Sequence, residues 1–175
     1  MFPARFVVLG IYVAQVYAEK WTKEGLSMER EEYMAAALAL AREAAEAGEV
    51  PVGCIITDGA GRIIGRGRNR REENADATAH AEIEAIRMAC AARGDWRLDG
   101  CTMYVTLEPC PMCTGAIILS RIPTLVFGAR EELTGSCGSV IDLFSERYGH
   151  SPAVFPGVCA EESAALLREF FRGRR

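Results

Sequence analysis

Two short segments hold this chain to a narrow range of folds: His80-Ala81-Glu82, and Pro109-Cys110-Pro111-Met112-Cys113. One imidazole and two thiolates suit a single zinc ion by softness and by geometry. For them to meet, the backbone must carry both segments to one point. Each stands where the pattern predicts the opening of a helix, and the second directly follows a strand-like run at 102–107. Two helix starts at the same end of a sheet satisfy that demand. Helix N-termini also favour negative charge, which helps hold cysteines as thiolates.

The rest of the pattern agrees. Residues 29–47 place Tyr33, Ala37, Leu40, Ala41 and Ala44 at helical spacing, with Gly48 as a stop. Strands at 52–57 and 62–67 flank Asp58-Gly59-Ala60-Gly61, which reads as a hairpin turn. Residues 69–78 are polar and read as a loop. A helix follows at 79–92, capped by Thr78 or Asp76 and ended by Gly94. After the strand at 102–107, Pro111 fits the opening turn of a helix running to about 121. Another strand covers 124–127. Residues 128–159 show only a short helix at 140–145, and a last helix spans 160–172 on an apolar stripe of Leu166, Leu167, Phe170 and Phe171. This order predicts one mixed sheet covered by helices, an α/β layered domain. The strands on either side of the cysteine helix should be parallel, joined by a right-handed crossover.

Composition sets outer bounds. With 175 residues, half of them hydrophobic, the chain suits one domain with a real core. A net charge of -4 argues against coating nucleic acid by charge alone and leaves local basic patches open. Two such patches exist: Arg66, Arg68, Arg70 and Arg71 before the histidine helix, and Arg168, Arg172, Arg174 and Arg175 beside Phe170 and Phe171. Clusters of this kind can hold phosphates while aromatic rings stack on splayed bases. Of seven cysteines, Cys54, Cys90, Cys101, Cys137 and Cys159 stand singly and read as small buried hydrophobes. One close pair suits a metal site in a reducing compartment, the cytoplasm, better than a disulfide scaffold. The apolar run at 6–18 is too short to span a bilayer, so no membrane association is expected. Met28 is read as the biological start, with 1–27 an N-terminal extension and 28–175 the folded domain.

Structural zinc sites close with four protein ligands, whereas catalytic ones use three and keep a place for water. Cys137, Cys54 and His150 are the candidates for a fourth ligand, and none has helpful spacing; His150 reads as a satisfied core histidine. A redox Cys-x-x-Cys pair would not require His-x-Glu. Glu82, two positions from His80, leaves the helix in another direction and is free to take a proton from activated water.

The pairing of His-x-Glu with Pro-Cys-x-x-Cys resembles the zinc nucleobase deaminases, the cytidine-deaminase superfamily. More narrowly, the chain resembles bacterial tRNA-specific adenosine deaminases over nearly everything after Met28. The likeness is carried by Glu49-Val50-Pro51-Val52-Gly53, Asn69, Thr78-Ala79-His80-Ala81-Glu82, and Thr106-Leu107-Glu108-Pro109-Cys110 with Met112-Cys113. It continues through Ser120-Arg121-Ile122 and Phe127-Gly128-Ala129-Arg130 to the ending Phe170-Phe171-Arg172 with Arg174-Arg175. The resemblance implies a cytidine-deaminase-like three-layer fold with a mixed sheet of about five strands. It also implies hydrolysis of adenosine to inosine at the wobble position of a tRNA anticodon stem-loop, by a homodimer with one zinc per subunit. Carried over, His80, Cys110 and Cys113 bind zinc and Glu82 shuttles the proton to and from zinc-activated water. Asn69 and Ala81 bind the flipped base, and Glu108 is a structural carboxylate. Phe170, Phe171, Arg172, Arg174, Arg175, Arg68, Arg70 and Arg71 are the RNA-contact candidates. The chain departs from the family pattern at Glu131, where aspartate is common, at Gly149-His150, and over 151–156. These departures keep two other readings open: a deaminase of a free nucleobase or nucleoside, and a non-catalytic zinc-stabilised RNA-binding module.

Overall fold

The computed structural model describes residues 23–172; Arg174, Arg175 and most of the expected 1–27 extension lie outside them. Five strands form one sheet in the order β2-β1-β3-β4-β5. Strand β1 (Gly53–Thr57) pairs antiparallel with β2 (Ile63–Arg68) and with β3 (Thr102–Leu107). Strands β3, β4 (Thr124–Ala129) and β5 (Ala153–Pro156) run parallel. The mixed sheet and the parallel pair around the cysteine helix match the sequence reading.

The central strands are buried on both faces, and alternation sorts their side chains into two cores. Cys54, Ile56, Met103, Val105, Leu125 and Phe127 point one way, into a cluster with Ala81, Ala85, Ala89, Ile117 and Ile118. These come from helices α3 (Ala81–Arg93) and α4 (Pro111–Leu119). Ile55, Tyr104 and Val126 point the other way, toward Met34, Ala37 and Leu38 of α1 (Lys23–Glu46) and Leu166 of α5 (Ala160–Arg172). The result is three layers, with both site-bearing helices on the same face.

Five local features differ from the sequence reading. Helix α1 begins at Lys23, before Met28. The loop at 69–78 contains a one-turn helix, α2 (Arg71–Asn74). The expected helix at 140–145 shrinks to a 3-10 turn at Leu143–Ser145, whose cap Asp142 accepts from the N–H of Phe144. Strand β5 has no alternating signature because it is only four residues long, exposed at both ends and half-buried between; it lies at the sheet edge and is closed by Pro156, where no further pairing is needed. At α3 the cap is also displaced: His80 occupies it, and Asp76 instead accepts from the Thr78 N–H and hydroxyl, both at 2.7 Å.

Helix α3 lies unusually close to β2. A Cβ on Gly67 would stand 2.1 Å from the Ala81 carbonyl oxygen and 2.7 Å from the Ala85 nitrogen. Glycine is therefore required there, and its absence of side chain sets the height of the helix that begins with His80. Gly67→Ala should cost about 1–3 kcal/mol by overpacking and lower metal retention as His80 is displaced. Urea denaturation with metal analysis checks this; an unchanged midpoint and full zinc content would show that the close approach is not needed.

Candidate metal centre and active site

Both site segments are helix caps. His80 precedes α3 with φ -81° and ψ 152°, and Cys110 precedes α4 with φ -74° and ψ 172°. Neither side chain caps its own helix, so both are free to turn toward each other. Pro111 opens α4, where a missing N–H costs nothing, and Cys113 follows one turn in. The Sγ atoms of Cys110 and Cys113 lie 3.7 and 3.6 Å from His80 Nδ1. Tetrahedral zinc, with bonds of about 2.3 Å to sulfur and 2.05 Å to nitrogen, sets such pairs about 3.6 Å apart. The three side chains thus fit the ion.

Among the described residues this is the sole cluster of metal-ligand type, with all three ligand atoms within 4.8 Å of one another. None of the three fourth-ligand candidates joins it. Cys54 is fully buried in the sheet core. His150 Nε2 donates to the Ile122 carbonyl at 2.7 Å. Cys137 shares a hydrogen bond with Thr114 Oγ1 at 3.5 Å, and burial pushes its thiol up to about 12.

The cysteines divide their acidity. The Cys113 thiol donates to Cys110, and with His80 alongside this holds Cys110 down to about 4, against the effect of burial. The same hydrogen bond, with burial and the Glu82 charge, pushes Cys113 up. His80 is raised, first by Cys110. Glu82, 4 % exposed, is raised by burial, with the Cys110 charge adding to the effect and His80 opposing it.

A cleft of about 220 Å³ opens over these groups, and His80, Glu82, Cys110, Asn69, Arg71 and Phe171 all line it. Val50, Val52 and Leu107 give it an apolar wall. Asn69 is buried, and its Oδ1 accepts the Ala81 N–H at 3.1 Å, which leaves its amide N–H groups for a ligand. Ala81 is fully buried, spends its N–H on Asn69 and does not line the cleft.

The basic residues separate into two kinds. Arg68 and Arg70 each lie 2.7 Å from Glu73, one on each carboxyl oxygen. Arg71 makes no salt bridge among the described residues and faces the cleft. Phe171, half exposed, meets Phe170 edge to face at 5.3 Å, and Arg172 flanks it along an adjoining hollow.

Two buried carboxyl groups that no metal motif flags fix the rims. Glu108 accepts N–H bonds from Glu131, Cys137 and Ser139 at 3.0–3.2 Å, and the Ser139 hydroxyl as well. Burial pushes its acidity one way, but these donors outweigh it and hold the carboxyl below its usual range. Glu49 accepts from the backbone at Glu72 and Glu73, both at 2.9 Å. Glu49 had been legible only as part of a matching segment. Glu131, Thr134, Val50, Val52 and Leu107 also line the cleft without having been singled out for it.

Residues 27–129 match the cytidine and deoxycytidylate deaminase zinc-binding region. The chain belongs to that family of zinc-dependent deaminases, and zinc is its cofactor. It falls there with the tRNA-specific adenosine deaminases: it is 47% identical to the Bacillus subtilis protein of that name over 144 residues, 82% of this chain and 89% of that one. A structure from a study of A-to-I editing by tRNA:A34 deaminases at the wobble position aligns with TM-score 0.75 and 46% identity, over 78% of this chain and 99% of that one. The chain is also 50% identical over 142 residues to a Deinococcus deserti protein named tRNA(Ile)-lysidine synthase, covering 81% of this chain. There it spans 27% of the relative's length.

Cys110→Ser should weaken zinc retention by more than the about 10–100-fold that loss of an outer-sphere partner brings, and should lower thermal stability because metal binding is coupled to folding. Elemental analysis after dialysis against a chelator reads this; stoichiometric zinc in the variant would exclude Cys110 from the ligand set.

Proposed function

We propose that this protein hydrolyses adenosine to inosine at the wobble position of a tRNA anticodon. The observation that carries the reading is the buried Glu82 carboxyl in one cleft with a His80–Cys110–Cys113 set that has no fourth protein ligand among the described residues. Zinc held by those three residues supplies a Lewis acid that makes water a nucleophile near neutral pH.

The remaining work falls to the chain's own groups. Glu82, raised by burial, takes a proton from the attacking water and passes it to N1 of the purine. As oxygen bonds to C6, Glu82 carries the second water proton to the amino group, which leaves as ammonia. Asn69, whose oxygen is engaged, contributes N–H donors to acceptor atoms of the base. The apolar wall keeps bulk water from the reacting carbon.

What favours RNA over a free base is the rim. Arg71 and Phe171 stand at the mouth, where a free base would leave them idle and a nucleotide in a loop would offer a phosphate and neighbouring bases. The purified protein should convert adenosine in an anticodon stem-loop, and Glu82→Ala should keep zinc while losing at least about 100-fold in kcat. Inertness on the stem-loop with ammonia release from free guanine or cytosine would move the assignment to the free-base class. Undiminished turnover in Glu82→Ala would remove the proton shuttle.

We place the homodimer contact on the outer face of α4. Leu119 is 72% exposed, Tyr148 57% and Met112 36%. Leu119 and Tyr148, with Pro111, Ile118 and Leu143, form an apolar patch beside the cysteine turn. No helix among the described residues is long and apolar enough to cross a membrane, and the cytoplasm is the compartment that keeps such thiolates reduced. Leu119→Glu should convert the dimer to monomer by light scattering; a wild-type chain already monomeric at micromolar concentration would refute this face.

A further inference from the structure

Helix α2 is a single turn, too short to persist alone. Its cap, Arg70, makes no side-chain capping bond. The caps come from far away in sequence: Glu49, in the connection after α1, accepts the N–H groups of Glu72 and Glu73 on one oxygen. Glu49 is 2% exposed and does not line the cleft. Its own N–H is fixed to Ala44 at 2.9 Å, so the anchor rests on α1, a long helix packed on the sheet.

What that turn carries is the rim of the cleft. Immediately before it, the Asn69 N–H is held by the Val52 carbonyl and the Arg70 N–H by the Ala79 carbonyl. Within it, Glu73 binds Arg68 and Arg70, which withdraws both from the cleft mouth. Arg71, the first residue of the turn, is left facing the pocket beside His80 and Glu82. A guanidinium at that position with no salt bridge among the described residues suits a phosphate oxygen.

We propose that Glu49 is a positioning residue, which holds the α2 turn so that Arg71 receives the phosphate next to the target nucleotide. The proposal rests on the RNA reading given above. Glu49 touches neither substrate nor metal; it acts through Arg71, and its effect belongs to substrate affinity.

The test uses the zinc-loaded full chain and an anticodon stem-loop, with kcat and KM measured across a salt series for Glu49→Ala, Glu49→Gln, Arg71→Ala and the Glu49→Ala/Arg71→Ala pair. Glu49→Ala should raise KM about tenfold, the equivalent of one lost charge-assisted contact, with kcat and zinc content close to wild type. Glu49→Gln keeps an oxygen that can accept both N–H groups, so it should restore KM. Both Glu49→Ala and Arg71→Ala should lower the slope of affinity against salt by about one charge, and the pair should be no worse than either alone. Where Glu49→Ala fails to fold, Glu49→Asp, which draws the carboxyl back by one methylene, should show the same rise in KM. A folded, zinc-loaded Glu49→Ala or Glu49→Asp with wild-type KM overturns the proposal. So does loss confined to kcat, or additive effects of Glu49 and Arg71. A wild-type chain inert on the stem-loop refutes the RNA reading itself, an outcome distinct from active wild type with indifferent Glu49 variants.

Discussion

The site exists because two helices on one face of the sheet begin at the same place. His80 and Cys110 occupy the caps of α3 and α4, in extended backbone geometry, and neither spends its side chain on its own helix. A serine or aspartate at either cap would bond inward to free N–H groups. Giving up that bond leaves two orphan helix starts whose N–H dipoles point at the metal side, which favours thiolate over thiol. The lowered pKa of Cys110 follows from the same crowding, with the Cys113 hydrogen bond as its largest cause. Everything else in the fold keeps these two starts in register: Gly67 lets α3 settle onto β2, and Pro111 commits the chain to helix directly after Cys110.

A second layer of control lies in two buried carboxyl groups that never meet the metal. Glu108, between β3 and Cys110, gathers three N–H groups and a hydroxyl from the segment 131–139. Gly135 is part of this arrangement, since a Cβ there would lie 2.8 Å from the Glu108 carboxyl and 2.3 Å from the Glu131 oxygen. Glu49 does the equivalent for α2 on the opposite rim. Loops of irregular backbone need partners for their buried N–H groups, and one carboxyl can supply several. The two acids therefore give rigid walls to a cleft whose rims carry little regular structure.

The metal centre was legible from sequence because coordination dictates both residue type and spacing, and the central strands because β1, β3 and β4 are short apolar runs buried on both faces. The rims were not. Helix α2 has no local cap or apolar stripe to announce it; its stabilising contact is 23 and 24 residues away at Glu49. Strand β5 has four residues, exposed at both ends and half-buried between, too few to show a period of two. His80 displaced Thr78 and Asp76 from the expected cap because ligation needs an imidazole there, and Asp76 turned to Thr78 instead. Ala81 stood beside the histidine in the motif, but its N–H serves Asn69 and its side chain serves the core. Neighbouring positions in a motif can thus have unrelated jobs, one chemical and one structural.

Local charge pairing reconciles an acidic chain with a polyanionic substrate on the proposed reading. Arg68 and Arg70 share Glu73, and Arg168 pairs with Glu161. Water screens the exposed carboxylates of these pairs, so an arriving phosphate can displace them at small cost. Until then the carboxylate holds each guanidinium in place, which reduces the rotamer freedom still to be lost on binding. Arg71 differs because no carboxylate pairs with it among the described residues, and its position is fixed by backbone, through the turn it opens. A gradation results, from an unpaired cation over the reacting groups to screened cations farther out. That arrangement concentrates attraction at the mouth of the cleft while the protein as a whole stays negative, and it ties recognition of the nucleotide to the same short segment that delivers Asn69 to the base.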